Sequence, residues 1–178
     1  MGMLITDKVF FLTFARSIGN EGGFQNDPKD RGNWTGGKVG SGELKGTKYG
    51  ISAMAYPALD IKNLTMDQVQ QIYYVQWWIP LKMAQMPNGL PYQLFDAAIN
   101  HGMIPTNKML QRAIGVKDDG EIGPITIKTV GSLDHNDTLF GFLSERLTFM
   151  TNISTWDVYG RGWARRIAVN LKYAAQDN

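Results

Sequence analysis

The chain of 178 residues contains no cysteine and only two histidines, which excludes several classes of catalytic site. Without cysteine there are no disulfides, thiol nucleophiles or cysteine–zinc sites, so a cysteine peptidase is excluded. His101 and His135 are not spaced as the paired ligands of a His-Glu-x-x-His helix, and we expect no metal site. The sequence also lacks the Gly-x-Ser-x-Gly elbow of a serine hydrolase. Paired carboxylates therefore remain as the main catalytic groups.

Long apolar runs are missing as well. Segments such as Val9-Phe10-Phe11-Leu12 are far shorter than the roughly 18–20 apolar residues of a membrane span. Residues 1–20 also lack the cleavage pattern of a signal peptide. We therefore expect a protein made in the cytoplasm without a signal peptide. If its target lies outside the inner membrane, something else must carry it across.

Glycine, by contrast, is concentrated in one place. Residues 31–50 contain seven glycines, which predict a long loop or a hairpin with glycine turns. Gly32 to Lys38 nearly matches the spacing of a nucleotide-binding P-loop, but Val39 stands where that motif needs a hydroxyl for magnesium. The net charge of +2 is ordinary for a soluble protein, and we expect no nucleic-acid partner.

Helical periodicity dominates the rest of the chain. A capping box of Thr65 and Gln68 predicts a helix that runs to about Trp78. With 43% apolar residues and no linker, the sequence predicts a single compact domain of mainly α structure, with room for a small β-hairpin in the glycine-rich loop. Further helices are predicted at residues 91–101 and 106–114, along the face Leu139, Phe142, Leu143, Arg146, Leu147 and Met150, and through Trp163, Ile167, Leu171 and Ala174.

Glu21 is the leading candidate for a catalytic acid. It follows a predicted helix with Thr6 as candidate N-cap. Apolar surroundings at a helix end favour the uncharged carboxyl that a general acid needs, and Gly22 and Gly23 leave room for a bulky ligand. The competing interpretation is a solvated glutamate in a loop. The predicted helix would bury the face formed by Phe11, Phe14, Ala15 and Ile18.

Several motifs in the first half of the chain resemble the N-acetylmuramidases of glycoside hydrolase family 108. The matching pieces are Glu21-Gly22-Gly23-Phe24, Asn26-Asp27-Pro28, Asp30, Thr47-Lys48-Tyr49-Gly50-Ile51-Ser52 and Asn63-Leu64-Thr65. Phe24 replaces the tyrosine that is commonest there, and the loop between Asp30 and Thr47 is longer than in many relatives.

The second half resembles the companion peptidoglycan-binding segment. The matching pieces are 95–102, 110–116, Asp119-Gly120, Ile122-Gly123-Pro124 and Gly162-Trp163-Ala164-Arg165-Arg166. The resemblance implies a muramidase sub-region at residues 7–90 and a helical peptidoglycan-binding-like sub-region at 91–175, packed on one core.

The resemblance implies a lysozyme-like helical fold that cleaves the β-1,4 bond between N-acetylmuramic acid and N-acetylglucosamine, with no metal or cofactor. It assigns Glu21 as the acid, and the spacing to Asp30 is similar to the glutamate–aspartate pair of phage lysozymes. Asp30 and Thr47 would then hold or activate the attacking water. Thr35 is a rival to Thr47 in the same loop, while Asp27 and Glu43 are reserve carboxylates.

Aromatic and amide side chains are the candidate substrate contacts, because sugars offer apolar faces and hydroxyls. The candidates are Trp34, Tyr49, Trp78, Asn100 and His101. Trp77 and Trp78 lie about 100° apart on a helix, so at least one of them belongs to the core. His101 precedes a helix-ending glycine, where a histidine often serves the last carbonyls. Arg161, Arg165, Arg166 and Lys172 face either acidic wall groups or solvent.

These features predict a phage endolysin that acts as a monomer on peptidoglycan glycan strands in the periplasm, after passage by a holin or another export route. A bacterial muramidase that serves protein export fits the same residues. Two further hypotheses are a lytic transglycosylase and a non-catalytic peptidoglycan-binding module.

Overall fold

The computed structural model describes residues 4–18 and 23–177, and the chain divides into two compact units, Met1–Gln76 and Trp77–Asn178. The predicted mainly α, lysozyme-like fold with a small β-hairpin is confirmed. In the described residues, no helix has both the length and the apolar character needed to cross a membrane. The helices are α1 Lys8–Ser17, α2 Met66–Tyr73, α3 Leu90–His101, α4 Met103–Ala113, α5 Pro124–Ser132, α6 His135–Thr151 and α7 Trp156–Asp177, and the strands are β1 Thr47–Lys48 and β2 Ile51–Ser52.

Helix α1 starts one residue later than predicted, and only Phe14 and Ile18 of its predicted inward face are buried. Asp7, and not Thr6, is the N-cap, because its Oδ1 accepts a hydrogen bond from the Phe10 N–H at 3.0 Å. The apolar run around this helix allows more than one buried face, and packing selects the one with Phe10, whose ring meets Tyr74 edge-on at 4.9 Å. The helix buries Phe10, Thr13, Phe14 and Ser17, whereas the predicted core residues Phe11 and Ala15 are exposed.

Helix α2 begins as predicted. The Thr65 hydroxyl oxygen accepts from the Gln68 N–H, and the Gln68 Oε1 accepts from the Thr65 N–H, which completes the capping box. The α-helical geometry ends at Tyr73, and a π-helical segment continues over Tyr74–Trp78. The helical stretch therefore reaches the predicted end, with a wider last turn.

The glycine-rich loop contains the hairpin that the sequence allowed. Strands β1 and β2 are antiparallel, with Thr47 opposite Ser52. Tyr49 and Gly50 form the turn between them with φ of 50° and 77°, and two positive φ values suit the twist of a tight hairpin. The Tyr73 hydroxyl donates to the Tyr49 carbonyl at 3.1 Å and lies against Gly50, so position 50 has room only for glycine.

The second unit is a helical bundle in which α3 is the central helix. Residues 90–98 of α3 are all buried, α3 packs on α4, and α4 and α7 each pack on α6. Helix α4 begins at Met103 and not at Thr106 as predicted, because Pro105 lies in the first turn, where a missing N–H leaves no helical bond unmade. Leu147 and Leu171, predicted on buried helix faces, are 37% and 41% exposed.

A buried carboxylate joins three helices of this unit. Asp96 on α3 pairs with Arg146 on α6 at 2.7 Å and with Arg166 on α7 at 2.6 Å, and it accepts a hydrogen bond from Asn170 Nδ2 at 3.1 Å. The side chains of Asp96 and Arg146 are 2% and 0% exposed. Burial alone would raise the pKa of Asp96, but the hydrogen bonds and charges of the two arginines outweigh it, and the pKa lies below its ordinary value.

Removing this charge should destabilise the second unit strongly. We expect Asp96→Asn to lower the free energy of unfolding by about 3–5 kcal/mol, because Arg146 then stays buried without a counter-charge. The control is Asp118→Asn, which breaks a half-exposed pair with Arg112 and should cost no more than about 1 kcal/mol. Urea unfolding of both variants measures the difference, and equal losses would contradict this role for Asp96.

Candidate active site

The predicted water-holding residues, Asp30 and Thr47, lie in the first unit. The predicted acid, Glu21, falls outside the described residues. Asp30 is exposed and caps the 3₁₀ turn Arg31–Asn33, with its Oδ1 accepting from the Gly32 N–H at 2.8 Å. Its other oxygen, Oδ2, accepts from Gln25 Nε2 at 3.3 Å. One face of the Asp30 carboxylate is therefore held by the protein.

Asp30 and Thr47 are joined by two amide side chains. Asn33, 0% exposed, accepts hydrogen bonds at Oδ1 from the Thr47 hydroxyl at 2.8 Å and from Gln25 Nε2 at 3.1 Å. Gln25 also forms a backbone bridge with Thr47, at 2.9 and 2.8 Å. A continuous path of hydrogen bonds thus runs from the Asp30 carboxylate through Gln25 and Asn33 to the Thr47 hydroxyl.

The rival residues of the loop occupy other places. The Thr35 hydroxyl accepts from the Glu43 N–H at 2.9 Å and helps to close the hairpin formed by residues 34–44, which we refer to as the loop hairpin. Glu43 pairs with Lys45 at 3.4 Å, and the Asp27 carboxylate accepts from the Lys29 N–H at 2.9 Å. None of these three side chains has a described hydrogen bond to the Asp30–Thr47 path, so the geometry favours Thr47 over Thr35.

The two aromatic candidates of the first unit lie close to this path in sequence. Trp34 directly follows Asn33, is half-buried, and donates from Nε1 to the Pro28 carbonyl at 2.9 Å. Tyr49 follows β1 and is also half-buried, with the Lys48 ammonium 5.7 Å from its ring centroid. Both rings keep part of their surface open to a ligand.

The other predicted contacts belong to the second unit. Trp78 is 2% exposed and meets Phe95 edge-on at 5.9 Å, so it has no ring face to offer a sugar and is the core member of the Trp77–Trp78 pair. The exposed Asn100 donates from Nδ2 to the Asp96 carbonyl at 2.6 Å. His101 accepts from Arg146 Nε at 3.3 Å and packs against Phe149.

Two grooves of the first unit are lined by residues other than Asp30 and Thr47. One of about 730 Å³ runs between the N-terminal segment and α2, and one of about 420 Å³ lies beside Phe24 and Lys45. Asp30 itself is exposed, and an open surface suits a long polymer better than an enclosed small molecule. No group of three or more potential metal ligands occurs in the described part of the chain.

The comparisons with known proteins decide the family. The family model described as "Glycosyl hydrolase 108" matches residues 14–102, which include Asp30, Asn33 and Thr47. The chain belongs to glycosyl hydrolase family 108. It is accordingly a glycoside hydrolase of the N-acetylmuramidase type that acts on peptidoglycan. The family expectation drawn from the sequence motifs is confirmed.

A solved structure agrees with the family assignment. The structure of Brucella abortus SagA is 26% identical to this chain, covers 94% of each chain, and superposes with a TM-score of 0.76. A search of curated protein sequences finds no match.

Gln25 and Asn33 are the residues of this candidate site that sequence reasoning missed. They are eight positions apart, and their pairing depends on the path of the loop between them. One local signal existed: Asn33 ends the short turn that Asp30 begins, and an amide there lies close to the capping carboxylate.

His101 gives the enzyme a pH-dependent stability. Burial and then the charge of Arg146 lower the pKa of His101 from 6.5 to about 4. Between these two values the unfolded chain binds a proton that the folded chain does not, so stability falls as the pH drops from 6.5 toward 4. We expect a loss of about 1–3 kcal/mol over this range, allowing for partial exposure. His101→Gln, which keeps an acceptor for Arg146, should flatten this part of the curve in urea unfolding, and an unchanged pH dependence would contradict the assignment.

Proposed function

We propose that the enzyme hydrolyses the β-1,4 bond between N-acetylmuramic acid and N-acetylglucosamine, with Glu21 as general acid and Asp30 as general base. The observation that carries the proposal is the hydrogen-bonded path from Asp30 to Thr47 in the segment matched by the family model. Two carboxylates, one protonated and one ionised, are the groups that glycoside hydrolysis requires.

The direction of the hydrogen bonds supports water as the nucleophile. The Thr47 hydroxyl gives its only proton to Asn33 Oδ1, so toward a ligand it can only accept. Asp30 also accepts only. A water that donates one hydrogen to each of them presents its lone pair to the anomeric carbon. Glu21 protonates the leaving glycosidic oxygen, the water oxygen bonds to the anomeric carbon, and Asp30 takes the water's proton, which gives inversion.

Mass spectrometry of digested peptidoglycan tests this chemistry. We expect hydrated muropeptides with new muramic acid reducing ends from the wild type, and losses of about 10²–10⁴-fold in rate for Glu21→Gln and Asp30→Asn. Asp67→Asn, on the exposed first turn of α2, is the matched control and should keep full activity.

Three outcomes would count against the proposal. Anhydro products would identify a lytic transglycosylase, which uses one glutamate and no water, and Asp30→Asn would then remain active. Full activity of Glu21→Gln would remove the acid assignment. Intact glycan from folded wild-type protein would favour a non-catalytic binding module.

We propose further that the second unit binds the glycan strand through the first half of α7. Trp156, Tyr159 and Trp163 form an aromatic face along this helix, with each of the first two rings 6.0 Å from the Trp163 ring. Tyr159 is 57% exposed, and Gly160 lets the Trp156 ring lie close to the helix backbone. Arg161 and Arg165 are exposed too, but at about 100° per residue they project from the opposite side of α7, so the proposed contact rests on the aromatic rings.

Cosedimentation with purified walls measures this contact. In a Glu21→Gln background, which leaves the wall intact, we expect Tyr159→Ala to weaken binding about 5- to 10-fold through lost stacking on a sugar ring. Val158→Ala removes a neighbouring apolar side chain that is 71% exposed and should leave binding unchanged. Equal binding by both variants would contradict a glycan contact at Tyr159.

For the biological role, we propose a phage endolysin that acts as a monomer in the periplasm and reaches it through a holin. The proposal rests on the resemblance of the motifs to a family that includes phage endolysins as well as bacterial muramidases. The bacterial export role is the competing hypothesis, and genome neighbourhood separates the two: holin or tail genes support lysis, and secretion genes contradict it.

A further inference from the structure

We propose that Gln25 and Asn33 are positioning residues whose paired amides determine that Asp30 and Thr47 both accept hydrogen bonds from the same water. This inference rests on the proposed function, because it assigns a role relative to Asp30 as the base. Neither amide has to touch substrate; they act by fixing which atoms of Asp30 and Thr47 face it.

The two side chains form a closed amide pair. Asn33 Nδ2 donates to Gln25 Oε1 at 2.8 Å, and Gln25 Nε2 donates back to Asn33 Oδ1 at 3.1 Å. Such a pair satisfies itself equally well if both amides are turned over, since donor and acceptor then exchange places. A third group must therefore determine which amide atoms donate and which accept.

The backbone of Asp27 supplies that reference. The Asp27 N–H donates to Gln25 Oε1 at 3.1 Å, and the Asp27 carbonyl accepts from Asn33 Nδ2 at 2.9 Å. A backbone N–H can only donate and a carbonyl can only accept, so these two bonds allow one orientation of each amide. The Asp27-Pro28 segment thus acts on the site through its backbone, not through its carboxylate.

The orientation has direct consequences for the two proposed water ligands. Asn33 presents Oδ1 to Thr47, so the Thr47 hydroxyl proton is engaged in a hydrogen bond within the protein. Gln25 presents Nε2 to Asp30, so the carboxylate keeps a donor at 3.3 Å. In the reversed orientation an amide N–H of Asn33 would face the Thr47 hydroxyl oxygen, and the hydroxyl proton of Thr47 would point toward the ligand. The Gln25 carbonyl oxygen would then face the Asp30 carboxylate. The water would then lose one acceptor.

Asn33 also has no capacity left for another arrangement. Besides its four side-chain bonds, its N–H donates to the Asp30 carbonyl at 3.1 Å, and its carbonyl accepts from the N–H groups of Lys45 and Gly46 at 3.0 and 3.1 Å. Because the side chain is 0% exposed, water cannot replace a lost partner. The buried Asn33 is the rigid member of the pair. Its orientation fixes that of the exposed Gln25, which therefore turns its Nε2 donor toward Asp30.

The test is the pH–rate profile of Gln25→Glu. This variant still accepts from Asp27 and Asn33 but places a carboxylate oxygen where Nε2 faces Asp30. Like charges at this distance disfavour the ionised base, so we expect the acid limb of the kcat profile to move up by about 0.5–1 pH unit, and by less at high salt. Gln176→Glu adds the same charge on an exposed position near the end of α7 and should leave the profile unmoved.

A second variant keeps the inference testable if Gln25→Glu folds poorly. Gln25→Met has nearly the same length and no hydrogen-bonding groups, and we expect kcat to fall about 10-fold with KM within about 2-fold, because positioning acts on the transition state and not on binding. Thermal unfolding of each variant confirms that the fold is intact.

The outcomes separate the two proposals. If Asp30→Asn is inactive while Gln25→Glu keeps the wild-type profile and Gln25→Met keeps the wild-type kcat, the positioning role is overturned and the proposed function stands. If Asp30→Asn is fully active, the proposed base itself is wrong. A shifted profile in Gln25→Glu together with an inactive Asp30→Asn supports both.

Discussion

The site of the first unit depends on one fully engaged buried amide. Asn33 uses every donor and acceptor it has, and its partners come from both ends of the glycine-rich loop: residues 25–30 on one side and residues 45–47 on the other. A segment with seven glycines loses much conformational entropy on ordering. The bonds to Asn33 offset this loss at the point where the proposed base and the threonine must be held in register. An error there would disturb the proposed base and the water ligand together.

The second unit is also held by one buried polar side chain with several partners, but this side chain is charged. Asp96 binds Arg146, Arg166 and Asn170 from two neighbouring helices, and the pKa values of Asp96 and Arg146 are both lowered, the latter mainly by burial. Tyr92 and Gln93 extend the network through Asn170. A buried ion pair contributes less to net stability than its geometry suggests, since desolvation opposes it, but it strongly disfavours any packing that leaves one partner alone. Each unit is thus organised around one polar residue that tolerates a single arrangement.

Local signals explain what could be read from the sequence. The capping box at Thr65 and the glycine at 102 locate helix ends because their bonds form within a few residues. The resemblance of the motifs identified the family and predicted Asp30 and Thr47 as site residues. Phe14 and Ile18 of the predicted α1 face are buried, but Phe11 and Ala15 are not, because packing against Tyr74 selects Phe10. The Gln25–Asn33 pair was missed because its partners meet only after the loop has closed. The core position of Trp78 was one of two options that periodicity could not separate.

The Trp34–Leu44 bridge closes the loop hairpin at its base. Just outside this bridge, the Asn33 carbonyl accepts from the N–H groups of Lys45 and Gly46 and closes the segment a second time. The described hydrogen bonds of residues 35–43 stay within the loop hairpin, and none of them reaches Asp30 or Thr47. Lengthening such a closed segment adds only a small entropic cost, about 0.6 kcal/mol for each doubling. Segments of different length and composition can therefore be exchanged at this position while the proposed base and water ligand keep their places. The loop hairpin is in this sense an insertion site, at which new surface can be added near the proposed base.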